Sequence, residues 1–476
     1  MAALSLPPWG WWPLAFAGTA VLWWCLQDLP APRRLMAGMA FGVGFFAVGL
    51  WWMREFHVLG ATLAVLIEAS FVALAAVLTP RARRRALALP AALVLAEAAR
   101  GVAPFGGVPL AGIALGQAGG PLAGAARLGG ELLVLALSVL AGVGLAQMAR
   151  RRWLPTALTL GVVVGVVLLG ALSPDGGDGS AVATAVVQGG GRRGFLGVES
   201  DPQAVFDAQL AASQSLRPPL SLVLWPEDVI DVEEPVGDTP EGRSVAEVAR
   251  RTGSTVVAGV IETSTPGHFT NAAVAWSPQG EITARYDKVQ RVPFGEYIPV
   301  RGLIERVVDV SAVPRDAVPG RDPGVLRTAI GPVGVAISYE VFFASRARAA
   351  TRAGAHVLTV PTNAASFSSS QVPAQEVAAA RLRAIENGRD LLQAAPTGYS
   401  AYIDHRGGLL ARTTLGRRQV LQRPATMRTG RTVYAALGDG PILALGGLTL
   451  ALTLGPALRS RREGRGRNRL RFVRRT

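Results

Sequence analysis

Cysteine is nearly absent from this chain of 476 residues: the single one, Cys25, lies inside an apolar run. No disulfide can form within the chain, and neither a Cys-x-x-Cys pair nor a Cys/His metal cluster is available. Histidine is scarce as well, with His57, His268, His356 and His405 scattered along the sequence, which argues against a metal centre. No glycine-rich loop closes on Lys-Ser or Lys-Thr, and Gly189-Gly190-Gly191 is too short to cradle a phosphate. Neither a metal nor another cofactor is expected. Acidic residues are outnumbered, 33 against 48 Lys and Arg, for a formal charge of +15. Such an excess raises nucleic acid as a partner, but no basic cluster is interleaved with stacking aromatics, so nucleic acid is set aside. The start lacks a basic n-region and does not read as a cleavable signal peptide.

Apolar residues are abundant, at half of the chain, which is more than an ordinary soluble enzyme carries. The excess is concentrated before residue 173 and after residue 440. A helix needs about 20 apolar residues to cross a bilayer. Runs of that kind occupy 11–27, 36–53, 58–79, 86–104, 126–148, 153–172 and 438–458, with 86–104 interrupted by Glu97 and Arg100. Arginines gather at every second boundary: Arg33 and Arg34, then Arg81, Arg83, Arg84 and Arg85, then Arg150, Arg151 and Arg152, then nine from Arg459 to Arg475. Positive charge stays on the cytoplasmic side, so the section between the sixth and seventh runs is expected outside. The N-terminus then also starts outside, which suggests that a helix preceding Pro7-Pro8-Trp9-Gly10 is missing or clipped. The basic tail offers a contact for anionic headgroups or a cytoplasmic partner. The plainer reading is a stop-transfer anchor with a solvated end.

Residues 181–435 have the balance of a globular domain. Strands are expected at Ala181–Gln188, Leu220–Trp225, Thr255–Val260, Asn271–Trp276, Val333–Ser338, His356–Val360, Leu391–Ala395 and Tyr399–Asp404, and helices at Asp201–Ser215, Ser244–Arg251 and Gln375–Gly388. Alternation of this kind makes an α/β sheet covered by helices. The resulting division is a multi-span membrane domain at 1–174, a linker at 175–180, the α/β domain at 181–435, a last membrane helix at 436–458 and a basic cytoplasmic tail at 459–476.

Three short segments carry the chemistry. Trp225-Pro226-Glu227, Tyr286-Asp287-Lys288 and Ile337-Ser338-Tyr339-Glu340 each end or follow an apolar run, and so deliver a carboxylate, an amine and a nucleophile position to strand ends. Two-step acyl transfer needs a nucleophile, a base and a cation or N–H donors for the developing oxyanion.

The ordered set resembles the nitrilase-type domain of the apolipoprotein N-acyltransferase family. It comprises Glu227 in WPE, Lys288 and Glu296 in YDKVQRVPFGEYIP, Ser338 and Glu340 in ISYE, and Arg383 and Glu386 in RLRAIENGR. PPWGWWPLAF near the start and ARLGG at 126–130 are similar to segments of the family's membrane part, and VPTNAASF at 360–367 resembles its actinobacterial form. The resemblance implies a polytopic α-helical membrane domain, built in the family on eight helices, plus an extracytoplasmic αββα sandwich of nitrilase type. It further implies transfer of an acyl chain from a phospholipid donor to the α-amine of a diacylglyceryl-cysteine lipoprotein, in the cell membrane. By that match Glu227 is the general base, against the alternative of a surface carboxylate in an acidic loop with Asp228, Asp231, Glu233 and Glu234. Lys288 steadies the tetrahedral intermediate, and Glu296 orients Lys288 or the nucleophile. Glu340 either supports Ser338 or makes a structural ion pair.

Ser338 stands where the family has its nucleophilic cysteine. A thiol ionises near pH 8.5, whereas a hydroxyl needs full base assistance during attack. Three readings follow: a slow oxygen ester, a domain that keeps its binding surface without chemistry, and an introduced serine that silences a thiol enzyme. The function classes are accordingly a membrane N-acyltransferase and a catalytically silent homologue that binds lipid or lipoprotein. The silent form would tether a cytoplasmic enzyme through its tail, as the family's association with a polyprenyl-phosphate mannosyltransferase in some actinobacteria suggests. A membrane-anchored amidase is the weaker third, since a lipid-facing base has no role in hydrolysing a soluble amide.

Overall fold

A computed structural model of the chain describes residues 1–80, 85–194, 199–306, 309–311 and 313–454. It falls into two compact units, one of Met1–Gln117, Glu131–Leu169 and Asp439–Thr476, the other of Ala118–Gly130 and Gly170–Gly438. The tail arginines from Arg459 on, the end of the last expected span, and Arg81, Arg83 and Arg84 lie outside the described residues.

The first unit is helical: α1 (Pro13–Cys25), α2 (Ala31–Gly49), α3 (Val58–Leu78), α4 (Arg85–Arg100), α5 (Ala126–Ala149), α6 (Trp153–Leu172) and a final apolar helix, Gly440–Leu454. Among the described residues, three helices, Val58–Leu78, Ala123–Ala149 and Trp153–Leu172, are long and apolar enough to cross a membrane. Two boundaries differ from expectation. Arg33 and Arg34 fall in the first turn of α2, where Pro32 suits the opening of a helix, and α2 gives way to a 3₁₀ turn at Trp51–Glu55. Glu97 and Arg100 do not interrupt α4 but close it. Arg100 donates through Nε to Glu68 Oε2 at 2.5 Å, through Nη1 to Glu97 Oε1 at 2.7 Å, and through Nη2 to the carbonyls of Val108 and Leu110. A buried guanidinium is tolerated because its donors are answered.

Helices α2 and α3 meet through small residues. A Cβ on Gly38 would lie 2.8 Å from Ala73 Cα, and one on Gly42 would lie 2.7 Å from Ala69 Cα. Gly38 and Gly42 are one turn apart, so the two backbones touch along a small-xxx-small ridge.

The second unit is a sandwich of two sheets. The first contains β1 (Gly179–Gln188), β2 (Leu222–Leu224), β3 (Ile230–Val232), β4 (Thr255–Thr265), β5 (His268–Trp276), β6 (Ile282–Asp287), β7 (Asp316–Ala317) and β14 (Gln419–Arg428). Its order is β14-β1-β2-β4-β5-β6, with β3 on β4 and β7 on β5. The second contains β8 (Val325–Thr328), β9 (Gly331–Val335), β10 (Val357–Pro361), β11 (Leu391–Ala394), β12 (Ala401–Ile403) and β13 (Leu409–Arg412), in the order β13-β12-β11-β10-β9-β8.

Alternate residues of each strand serve different layers, as the two-residue period of a strand requires. Leu222, Leu224, Val257, Ala273 and Ala275 of the first sheet join Val333, Val335, Val357, Leu392 and Tyr402 of the second in one buried cluster between the sheets. Val223, Trp225, Val256, Ala258 and Val274 face the other way, onto α7 (Pro202–Ser213) and α8 (Pro240–Thr252), through Phe206, Val245 and Val248. Helices α9 (Ala344–Arg352) and α10 (Gln371–Asn387) pack on β9 and β11 of the second sheet. The result is the expected αββα order. Strands β3, β6, β7, β8, β13 and β14 had no counterpart in the sequence reading. β6 and β13 are largely exposed, β14 is an edge strand with Pro424 in it, and β3, β7 and β8 span only 3, 2 and 4 residues, so none shows a clean apolar alternation.

Replacing Gly42 with leucine should force α2 and α3 apart and cost about 1–3 kcal/mol. Gly44, whose Cβ would meet nothing within 4 Å, is the control. Thermal unfolding in detergent should show a lowered midpoint for Gly42→Leu and little change for Gly44→Ala.

Candidate active site

Strand direction decides what meets. β2 is parallel to β4, β4 is antiparallel to β5, and β5 is antiparallel to β6, so β2 and β6 run the same way. Their C-terminal ends release Glu227 and Lys288 on one edge of the first sheet. β9 and β10 are parallel in the second sheet and release Ser338 and Thr362 from corresponding ends. The C-terminal ends of strands are where α/β sheets place their sites.

Glu227, Lys288 and Glu296 form one cluster. Lys288 Nζ donates to Glu227 Oε1 at 2.9 Å and to Glu296 Oε1 at 2.8 Å. Asn271, on β5, donates through Nδ2 to the same two oxygens, at 2.9 Å each. Glu296 is held in turn by the backbone N–H of Val292, which donates to Oε2 at 2.8 Å. Lys288 is 2% exposed and Glu227 is buried, so Glu227 is no surface carboxylate. Burial alone would lower the Lys288 pKa, but the two carboxylates outweigh it and hold the ammonium above its ordinary value. Glu227 fits against β4 only because residue 259 is glycine: a Cβ there would lie 2.4 Å from Glu227 Cα.

Ser338 was expected at a strand end, but β9 stops at Val335 and Ser338 opens a 3₁₀ turn, Ser338–Phe342, with φ of +49°. The left-handed conformation costs a serine roughly 1–3 kcal/mol and must be enforced by its surroundings. Glu340 enforces it. Its buried carboxylate accepts from the N–H of Ile337 at 2.8 Å, of Val289 at 2.8 Å and of Gln290 at 3.0 Å, and from the Tyr286 hydroxyl at 2.8 and 2.9 Å. One side chain therefore ties the residue before Ser338 to the two residues after Lys288. Glu340 also lies 3.6 Å from Arg346 Nε, so the supporting contact and the ion pair coexist.

No hydrogen bond joins Ser338 to Glu227 or Lys288 among the described residues. Ser338 Oγ instead meets Thr362 Oγ1 at 3.2 Å, and Thr362 Oγ1 lies 2.7 Å from Glu376 Oε1 on α10. Burial pushes the Glu376 carboxyl up to about 7; Thr362 opposes this, Glu227 adds to it and Lys288 opposes it. Sequence reasoning missed Asn271, Thr362 and Glu376. Thr362 stood inside the VPTNAASF segment, whereas Glu376, next to Gln375 in a helix that also holds Arg381, Arg383 and Glu386, is not set apart by its neighbours. Arg383 and Glu386 pair within α10 at 3.2 Å, fully buried.

Residues 184–432 match the carbon-nitrogen hydrolase family, and residues 1–144 match the apolipoprotein N-acyltransferase N-terminal domain. A solved amidase from Nesterenkonia sp. AN1 aligns over 55% of this chain and 98% of its own, at 21% identity and a TM-score of 0.40. By the family match, the sandwich is a carbon-nitrogen hydrolase domain, and it shares the chain with a helical unit. The apolipoprotein N-acyltransferase of Mycolicibacterium smegmatis is 30% identical over 480 residues, covering 92% of this chain and 80% of the relative. That of Photobacterium profundum is 26% identical over 501 residues, covering 98% and 95%. The chain belongs to the apolipoprotein N-acyltransferase family.

Because the neutral form of Glu376 is favoured in the fold, its contribution to stability is whole below its ordinary value of 4.5 and is lost as pH rises through about 7. The loss should reach about 3 kcal/mol, at about 1.4 kcal/mol per pH unit. Glu376→Gln should flatten that part of the profile: unfolding midpoints at pH 5 and pH 8 should differ less than in the parent.

Proposed function

We propose that the protein is a lipoprotein N-acyltransferase of the cell membrane. It takes an acyl chain from a phospholipid onto residue 338 and passes it to the N-terminal amine of a diacylglyceryl-cysteine lipoprotein. The observation that carries this reading is the buried Lys288 ammonium, clamped by Glu227 and Glu296 at the strand ends beside the Ser338 turn. A cation so placed has no stabilising surface role; it suits the oxyanion of a tetrahedral intermediate. Glu227 gives Oε1 to Lys288 and Asn271, and its Oε2 accepts no hydrogen bond among the described residues, which leaves one carboxylate oxygen for a reacting proton.

A lipid donor is supported by the loop that carries Glu296. Phe294 is 50%, Val300 68% and Leu303 60% exposed, an apolar surface with no use in a small-amide hydrolase. The arginine clusters and apolar runs support a multi-span protein with the nitrilase-like domain outside and the basic tail inside, where that tail meets anionic headgroups or a cytoplasmic partner.

In the chemistry, the Ser338 oxygen bonds to the ester carbonyl carbon, the carbonyl oxygen gathers charge beside Lys288, and the lysophospholipid leaves. The lipoprotein amine then attacks the oxygen ester and frees Ser338. Oxygen at a thiol position makes the first step slow. Protein mixed with acyl-labelled phospholipid should form a labelled ester that Ser338→Ala and Lys288→Met abolish, and Ser338→Cys should accelerate labelling by about a hundredfold. A diacylated lipopeptide should then discharge the label as triacylated product. If neither the parent nor Ser338→Cys takes up label, acyl transfer is excluded and a silent, lipid-binding homologue remains.

A further inference from the structure

The proton of Ser338 has a route that does not touch Glu227. Thr362 follows β10, the parallel neighbour of β9, and this adjacency sets its hydroxyl 3.2 Å from Ser338 Oγ. Helix α10 brings Glu376 Oε1 to 2.7 Å from the same hydroxyl. All three groups are enclosed: Ser338 is 9%, Thr362 0% and Glu376 2% exposed. A threonine hydroxyl has a single proton to give. With Glu376 ionised, Thr362 donates to Glu376, and Ser338 must donate to Thr362. With Glu376 protonated, the order reverses, and Ser338 becomes the acceptor. The three side chains therefore form one line with two proton states.

The remaining oxygen of Glu376 argues for use of both states. Oε2 is buried and has no hydrogen-bond partner among the described residues. A buried carboxylate answered on one oxygen only is costly, and taking a proton relieves the cost. The charged groups that act on it are Glu227, which repels it, and Lys288, which favours its ionised form. Glu340, on the Ser338 turn, is turned to Tyr286 and the backbone of 289–290. Glu227, by contrast, gives Oε1 to the Lys288 ammonium and makes no hydrogen bond to Ser338 or Thr362 among the described residues.

We propose that Ser338, Thr362 and Glu376 are a proton relay for the acylation step. As Ser338 Oγ bonds to the ester carbonyl carbon, its proton passes to Thr362 while Thr362 passes its own to Glu376. As the bond to the glycerol oxygen breaks, the proton returns from Glu376 through Thr362 to that leaving oxygen, and the charge balance is restored. Thr362 and Glu376 position the proton and do not touch the acyl carbon. The relay rests on residue 338 being the acylated position.

Two measurements on the full chain in detergent test it. In the first, Ser338→Cys in a Cys25→Ser background is alkylated with iodoacetamide across pH. The rate should show a step near 7, from Glu376, below the thiol's own step. Glu376→Gln and Thr362→Val should each remove the lower step, and Thr362→Ser should keep it. A lower step that persists in Thr362→Val is a field effect through space and overturns the relay, as does a profile without that step. In the second, acylation of the Ser338 form by labelled phospholipid should slow by about a hundredfold in Glu376→Gln and in Thr362→Val, with the double variant no slower than either. Unchanged or additive losses overturn the proposal. Absence of label from both the Ser338 form and Ser338→Cys would count against acyl transfer, and the alkylation profile would still decide the relay.

Discussion

One buried ammonium organises this domain. Taking Lys288 out of water is unfavourable unless negative charge meets it at hydrogen-bond distance. Glu227 arrives from the end of β2, Glu296 from the loop after β6, and Asn271 from β5 supplies a neutral donor that shares the same two oxygens. Three separate parts of the chain are therefore fixed by the requirement of a single cation. The glycine at 259 follows from the same requirement, since no side chain fits between β4 and the Glu227 backbone.

The second constraint is the turn at Ser338. A serine in the left-handed region does not hold that conformation by itself. Glu340 supplies the restraint with five acceptor contacts, and because two of them go to the backbone just after Lys288, the Ser338 turn and the cation are held by one connection. Glu340 thus touches both the backbone of the turn and, at 3.6 Å, Arg346 Nε.

Much of this was legible beforehand because the strands feeding the site are short apolar runs ending in polar residues. Glu227 and Lys288 could be placed at strand ends from Trp225-Pro226-Glu227 and Tyr286-Asp287-Lys288 alone, although the β6 strand itself was not recognised. Ser338 was assigned to a strand because Val333–Ile337 is continuously apolar, and apolarity carries no information about where backbone pairing stops. Thr362 and Glu376 were not found because their importance lies in the adjacency of β9 and β10 and in the face that α10 presents, and neither is encoded by local pattern. Arg100 was misjudged for a related reason: a charge in an apolar run reads as an interruption until its partner, Glu68, some thirty residues earlier, is seen beside it.

The loop of 289–304 carries two loads that pull on each other. It presents Phe294, Val300 and Leu303 to the surroundings, and it also supplies one of the two carboxylates that neutralise Lys288. Any swing of that segment upon meeting hydrocarbon would withdraw Glu296 and strip the amine of one counter-charge. On the proposed function, the pull of Lys288 on a substrate carbonyl would then depend on where the greasy rim sits.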